Sequence, residues 1–258
     1  RNSFSRRARL MLGGGYVIVW DCESDCAFDK LPGETHEEKL CFMQFTVICA
    51  ISMPSAMIKK RAPVDLIMQN STRYSWWRDV AEHGSNPVVS LLRLFDEADM
   101  IVGYNCLEFD FPLIRRFYRP SKSMPCSTQR YVNHRAKTLD IMARVRDATG
   151  KYYKLDDLLK KNGLETKSSN GIEAIRMWEQ GQRDELESYC ETDVLLTARL
   201  SLLEEIRVGH NVKVTSSVFG ARNELLCLPT ASTSNTVTTS FTPLEEEGDF
   251  VLVQSAGL

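Results

Sequence analysis

Gly103-Tyr104-Asn105-Cys106-Leu107-Glu108-Phe109-Asp110-Phe111-Pro112 is the stretch that orders the rest of the chain. Before it, Met100 to Tyr104 is a short apolar run that reads as a buried strand, and after it Phe111 to Tyr118 has helical spacing. Asn105 and Asp110 therefore fall at a strand-to-helix junction, where polar side chains reach past a sheet edge. Taken alone, either residue reads better as a helix cap.

Two other segments change that. Tyr16-Val17-Ile18-Val19-Trp20 is β-branched and aromatic and follows three glycines, so it reads as a strand. Asp21 and Glu23 continue it two residues apart, hence on one face with Val17 and Val19. Carboxylates about 7 Å apart along a strand can share a cation, although Asp-x-Glu at a strand end is also an ordinary loop entry. Near the other end, Tyr189-Cys190-Glu191-Thr192-Asp193 lies in a predicted helix over Asp184 to Glu205, with Tyr189 and Asp193 on one helical face and Leu186, Cys190 and Leu196 toward a core.

Between these segments the chain predicts strands at Leu40 to Ile51 and Val64 to Met68, with Met57 to Arg61 part of a third. A helix follows over Pro87 to Asp99, from Val88, Leu91, Leu92 and Leu94, then a strand at Thr138 to Ile141 and helices at Leu155 to Lys161 and Ile172 to Glu179. Strands first, then strands alternating with helices, predict an α/β domain with a mixed sheet flanked by helices. We place that domain at residues 16–207, after a basic tail over residues 1–15 that carries Arg1, Arg6, Arg7 and Arg9 without an acid and reads as such rather than as a targeting peptide. Residues 208–258 lose periodicity, and Thr230 to Thr242 is almost all Ser and Thr, so this part is expected to be mostly disordered.

Composition narrows the class. The 258 residues are 43% apolar and 26% charged with a formal net charge of -2, which excludes a uniformly basic protein but not a local positive track. No stretch reaches the 18 or so apolar residues of a membrane-spanning helix, so a soluble protein with no membrane partner is expected. The eight cysteines are scattered and read as free thiols of an intracellular, reducing compartment; Cys22 and Cys26 have zinc-like spacing but no second ligand pair, and the four histidines are dispersed.

The three segments, in this order, resemble the three motifs of DEDD 3′-to-5′ exonucleases, most of all those of the proofreading domain of family B DNA polymerases: Asp21-Cys22-Glu23, Gly103 to Pro112, and Tyr189 to Asp193. The resemblance spans roughly Tyr16 to Arg207 and implies a ribonuclease H-like fold. Ser188 stands where the histidine subtype carries its histidine, which selects the tyrosine subtype, and Glu108 replaces the usual asparagine before Phe109. The resemblance implies two divalent cations, Mg²⁺ or Mn²⁺. Asp21 would bridge both, Glu23 and Asp193 would hold the one that activates water, Asp110 would support the second through water, and Tyr189 would orient the attacking water. Such chemistry needs charge beside both the attacking and the leaving oxygen, which two cations can supply.

The same resemblance puts Ser24 near the terminal 3′-hydroxyl, Phe109 on the terminal base and Asn105 in a hydrogen bond beside it; from the residues alone Phe109 reads as core. No acid occurs from Phe111 to Leu139, where Arg115, Arg116, Arg119, Lys122, Arg130, Arg135 and Lys137 form a basic run that either tracks phosphates, with Arg130 and Arg135 its representatives, or is a solvated face. Asp140 reads as structural support, and Trp76-Trp77 as a hydrophobic plug rather than a stacking surface. The expected activity is release of 5′-mononucleotides from the 3′ end of single-stranded DNA, by a free-standing enzyme or a portion of a larger protein. An exoribonuclease with the same site and a non-catalytic nucleic-acid-binding module are the alternatives. The acidic-then-apolar run Glu245 to Val253 marks a possible docking segment for a protein partner.

Overall fold

A computed structural model describes residues 15–80, 87–118, 127–166, 171–209, 213–214 and 218. Residues 1–14 and the docking segment at 245–253 lie outside these, so the expectations for both tails are not addressed. The chain divides into units 1–226 and 227–258, and every described residue belongs to the first.

A five-stranded sheet has the order β3-β2-β1-β4-β5, formed by β1 (Tyr16–Ser24), β2 (Phe45–Pro54), β3 (Thr72–Trp77), β4 (Met100–Gly103) and β5 (Thr138–Asp140). β1 and β2 are antiparallel with Asp21 opposite Cys49, and β2 and β3 are antiparallel; β1, β4 and β5 run parallel. The carboxyl ends of the three parallel strands thus meet at one sheet edge, and they carry Asp21 and Glu23, the turn after Gly103, and Asp140. This is the expected mixed α/β sheet flanked by helices.

Alternation along β1 and β2 separates two cores. Val17, Val19, Cys49, Ile51 and Met53 pack with α10 (Arg183–Ser201), α8 (Leu155–Lys161) and the short helices α2 (Ser55–Lys59) and α3 (Val64–Gln69). Ile18, Trp20, Cys22, Ile48 and Ala50 pack on the other face with α4 (Pro87–Glu97) and α5 (Asp110–Ile114). There Trp20 meets Phe95 and Phe111 edge-on, at 5.0 and 5.2 Å between ring centroids. Each such side chain removed from water contributes about 1.5–3 kcal/mol. α6 (Ser127–Ala136), α7 (Ile141–Thr149) and α9 (Gly171–Glu179) complete the helical layers.

Three local expectations change. The predicted strands over 57–61 and 64–68 are the helices α2 and α3: Val64, Ile67 and Met68 lie at helical spacing and turn one face into the core. The third strand is instead β3, in which Trp76 is the buried plug on the Trp20 side while Trp77 faces the other way, stacks on Trp178 at 6.4 Å and donates to Glu187 at 3.0 Å. The strand predicted from Leu40 begins at Phe45, because Thr35 and Glu38 form a reciprocal capping box that starts α1 (His36–Phe42). The core also takes in Val208, Val214 and Val218, beside the two-stranded β6 (Ile206–Arg207) and β7 (Lys213–Val214).

Candidate carboxylate site at the sheet edge

β1 delivers Asp21 and Glu23 to the α10 side of the sheet, as the alternation predicts. The ligand atoms of Asp21, Glu23 and Cys190 all lie within 4.8 Å of one another. Cys190 Sγ also donates to the Asp21 carbonyl at 3.7 Å, which ties α10 to the end of β1. Sequence reasoning assigned Cys190 only to the core; its place one residue after Tyr189, on the inward face of the helix, was the available signal. Asp193 and Tyr189 are buried on the same helix, one turn apart, while Ser188 is exposed.

Asp110 arrives from the other core. Its Oδ1 accepts from the backbone N–H of Cys22 and from the Cys22 thiol, both at 3.0 Å, so it grips the residue between Asp21 and Glu23. Asp110 and Asp193 are outside the 4.8 Å group itself. Burial pushes the Asp110 carboxyl well above the usual carboxylate range; the two bonds from Cys22 oppose this and the charge of Asp140 adds to it. Burial also drives the Cys190 thiol far up, with the neighbouring Cys49 and the charges of Asp21 and Glu23 adding to the effect. Burial therefore disfavours the thiolate form of Cys190.

The turn between β4 and α5 is built around Asp140. Its Oδ1 accepts from Asn105 N–H at 2.9 Å and caps α7 through Ala143 N–H at 3.1 Å, and its Oδ2 accepts from Leu107 N–H at 2.9 Å. Asp140 is thus the structural support that the sequence suggested. Asn105 sits in the left-handed region at φ 61°, which asparagine tolerates better than most residues. Its buried Oδ1 has no hydrogen-bond partner among the described residues. Phe109 is half-buried against the Trp20-side core, the Ser24 hydroxyl donates to the Cys26 carbonyl at 3.3 Å, and the unexpected Glu108 turns its carboxylate to Arg146.

Arg130 and Arg135 of the basic run have internal partners. Arg130 makes a two-point ion pair with Asp96 at 2.9 and 2.6 Å, with a side chain only 12% exposed. Arg135 donates to the Leu107 carbonyl at 2.6 Å and lies over the Phe111 and Tyr131 rings. Each guanidinium locks α6 to a neighbouring element, and sequence spacing carries no sign of such tertiary partners.

The RNase_H superfamily model matches residues 67–203, more than half of the 258 residues. The chain belongs to the RNase H superfamily. The matched segment of this RNase H-like chain includes Asp110, Tyr189 and Asp193 but begins after Asp21 and Glu23, whose place in the site rests on the geometry above. Membership in this superfamily supports a nuclease. Among solved structures, the chain is similar to the family B DNA polymerase from the hyperthermophilic archaeon Pyrobaculum calidifontis, with 16% identity and a TM-score of 0.45 over 72% of this chain and 24% of that one. It is also similar to a chain of an ExoI/SSB-Ct complex, with 14% identity and a TM-score of 0.36 over 69% of this chain and 44% of that one. It therefore spans about a quarter of the polymerase and less than half of the other chain. No curated protein matches it.

Proposed function

We propose that this chain is a metal-dependent 3′-to-5′ exonuclease of the DEDD kind, acting on single-stranded DNA and releasing 5′-mononucleotides. The observation that carries the reading is the convergence of the Asp21 and Glu23 carboxylates within 4.8 Å at the sheet edge. Two like charges at that distance repel by roughly 3 kcal/mol at an effective dielectric of 20, which a cation relieves. Asp21 and Glu23 offer carboxylate oxygens, hard donors that suit Mg²⁺ or Mn²⁺. Asp21, Glu23 and Asp193 would hold the cations, with Asp110 behind them. When bound, two such ions lower the charge on the phosphoryl oxygens and acidify water.

The protein's own groups do the rest. The Tyr189 hydroxyl orients the attacking water. The buried Asn105 Oδ1 offers an acceptor to a donor on the terminal nucleotide, Phe109 stacks on its base, and Ser24 lies by the 3′-hydroxyl. The 3′ direction and the preference for DNA rest on the motif resemblance.

The test is hydrolysis of matched 5′-labelled single strands of DNA and RNA with Mg²⁺ or Mn²⁺. Laddering from the 3′ end of DNA that EDTA abolishes is expected; faster laddering of RNA would make the chain an exoribonuclease. Asp21→Ala and Asp193→Ala should each lose more than about 100-fold, since even the partners of a metal ligand are worth 10- to 100-fold. Tyr189→Phe should lose roughly 10- to 1000-fold, in the range of positioned proton-transfer groups. Binding without turnover by a folded wild-type protein in both metals would favour the non-catalytic module.

A further inference from the structure

Between α1 and the turn-α5-α6 segment lies a groove of about 910 Å³. Its lining joins apolar Leu40, Met43 and Leu113 to the guanidiniums of Arg115 and Arg116 and the exposed thiol of Cys41. Leu107 and Glu108 also line it, and they belong to the turn that leads into Asp110 two residues after Glu108, so the groove and that carboxylate share one turn of the chain.

The lining sets Arg115, Arg116 and Arg135 against Glu37 and Glu108, so its charge is positive. Glu108 is drawn off by Arg146, which does not line the groove. Arg115 is 69% exposed and reaches Glu37 only at the 4.0 Å limit of an ion pair. Arg115 also lies over the ring of Tyr131, at 5.8 Å from its centroid, so an aromatic face and an arginine stand together in the lining. An apolar surface with an aromatic and arginines on its rim accepts stacked bases and the phosphates that join them. Its volume is in the range that holds a few small groups rather than a duplex.

We infer that this groove holds the single strand just ahead of its reacting end, with Arg115 and Arg116 at its phosphates. The inference rests on the nuclease reading and names residues that it left open: among the described arginines of the basic run, Arg115, Arg116 and Arg135 line this groove, Arg135 being held to the Leu107 carbonyl, whereas Arg130 is paired with Asp96 outside it.

The experiment uses a fluorescein-labelled 12-nucleotide oligothymidylate in EDTA, so that binding is read without turnover. Saturating oligonucleotide should slow iodoacetamide alkylation of Cys41 several-fold, measured by peptide mass spectrometry. In anisotropy titrations from 50 to 300 mM KCl, R115Q/R116Q should flatten the plot of log K against log salt by about 1.4, at about 0.7 per single-strand phosphate contact. R199Q, whose partner is Asp65 on α3, should leave the slope as it was. Both substituted side chains of the double variant are exposed, so its melting temperature should stay within a degree or so of wild type. Oligonucleotide that binds without protecting Cys41, and an unchanged slope, would overturn the groove assignment even if the wild type digests DNA. Protection of Cys41 by a strand that neither Mg²⁺ nor Mn²⁺ causes to be cut would leave the groove standing and remove the nuclease reading. Failure of the wild type to bind the strand at all would remove both.

Discussion

His134 shows how burial assigns a role to a single side chain. Its Nε2 meets Asp96 Oδ1 at 2.9 Å and its Nδ1 meets the Tyr118 hydroxyl at 2.8 Å, both rings being buried. A carboxylate only accepts, so Nε2 carries the proton and Nδ1 of the neutral ring accepts from Tyr118. Burial lowers the imidazole from 6.5 to about 4, against the pull of Asp96 and together with the push of Lys137 and Arg130. Because the folded value lies below the unfolded one, the unfolded chain binds more protons between these limits. The contribution of His134 is therefore complete above about pH 6.5 and is lost as pH falls toward 4. At 1.36 kcal/mol per pH unit, this loss is on the order of 3 kcal/mol. H134Q should be less stable than wild type at pH 7.5 by about 1–3 kcal/mol, the cost of leaving buried polar partners unmet, and the gap should narrow at pH 4.5. Urea midpoints at the two pH values check this; a gap that does not change with pH would mean that the ring is already charged in the fold.

The turn from β4 into α5 is where local rules and tertiary demands meet. A Cβ on Gly103 would fall 2.6 Å from both Cβ and Sγ of Cys106, closer than real contacts come. Glycine lets the chain fold back at once, so that Asn105 reaches the left-handed region and Asp140 collects the N–H groups of Asn105 and Leu107. G103A should then cost about 1–3 kcal/mol, the usual range for overpacking, and should lower turnover by displacing Asn105 and Asp110. Chemical denaturation and a nuclease assay of one preparation check both; full stability and full activity would show slack in the turn. This junction was legible because a strand, a glycine, an asparagine and a capping-type aspartate succeed one another within eight residues. The face shared by Asp21 and Glu23 was legible from period two, and the inward Leu186 and Cys190 from helical period. Short elements were not: α2 and α3 are rich in residues that also favour strands, and five or six positions do not separate the two periods. The partners of Arg130, Arg135 and Glu108 were not legible either, since Asp96, the Leu107 carbonyl and Arg146 come from elements that only the packed fold brings together.

Over the whole molecule, the fold gathers negative charge where its parallel strands end. Asp21 and Glu23 lie within 4.8 Å, and Asp110 at the start of α5 and Asp140 at the end of β5 are both buried, with Asp140 acting on Asp110. Neighbouring carboxylates of this kind oppose folding when no cation accompanies them, a familiar exchange of stability for activity. Replacing Asp21 by asparagine keeps the shape and removes one charge. In EDTA, D21N should therefore melt higher than wild type. Mn²⁺ should reverse the order, because an ion that binds only the folded state adds RT ln(1 + [L]/Kd), about 2.7 kcal/mol at a hundred times Kd. At about 2–4 °C per kcal/mol for a domain of this size, the wild type should gain roughly 5–10 °C and D21N far less. Thermal melts of both proteins across a Mn²⁺ titration decide the matter without any assay of cleavage. If D21N is the less stable protein in EDTA and gains as much from Mn²⁺ as wild type does, the carboxylate pair is a structural feature of the strand end and the cation is held elsewhere.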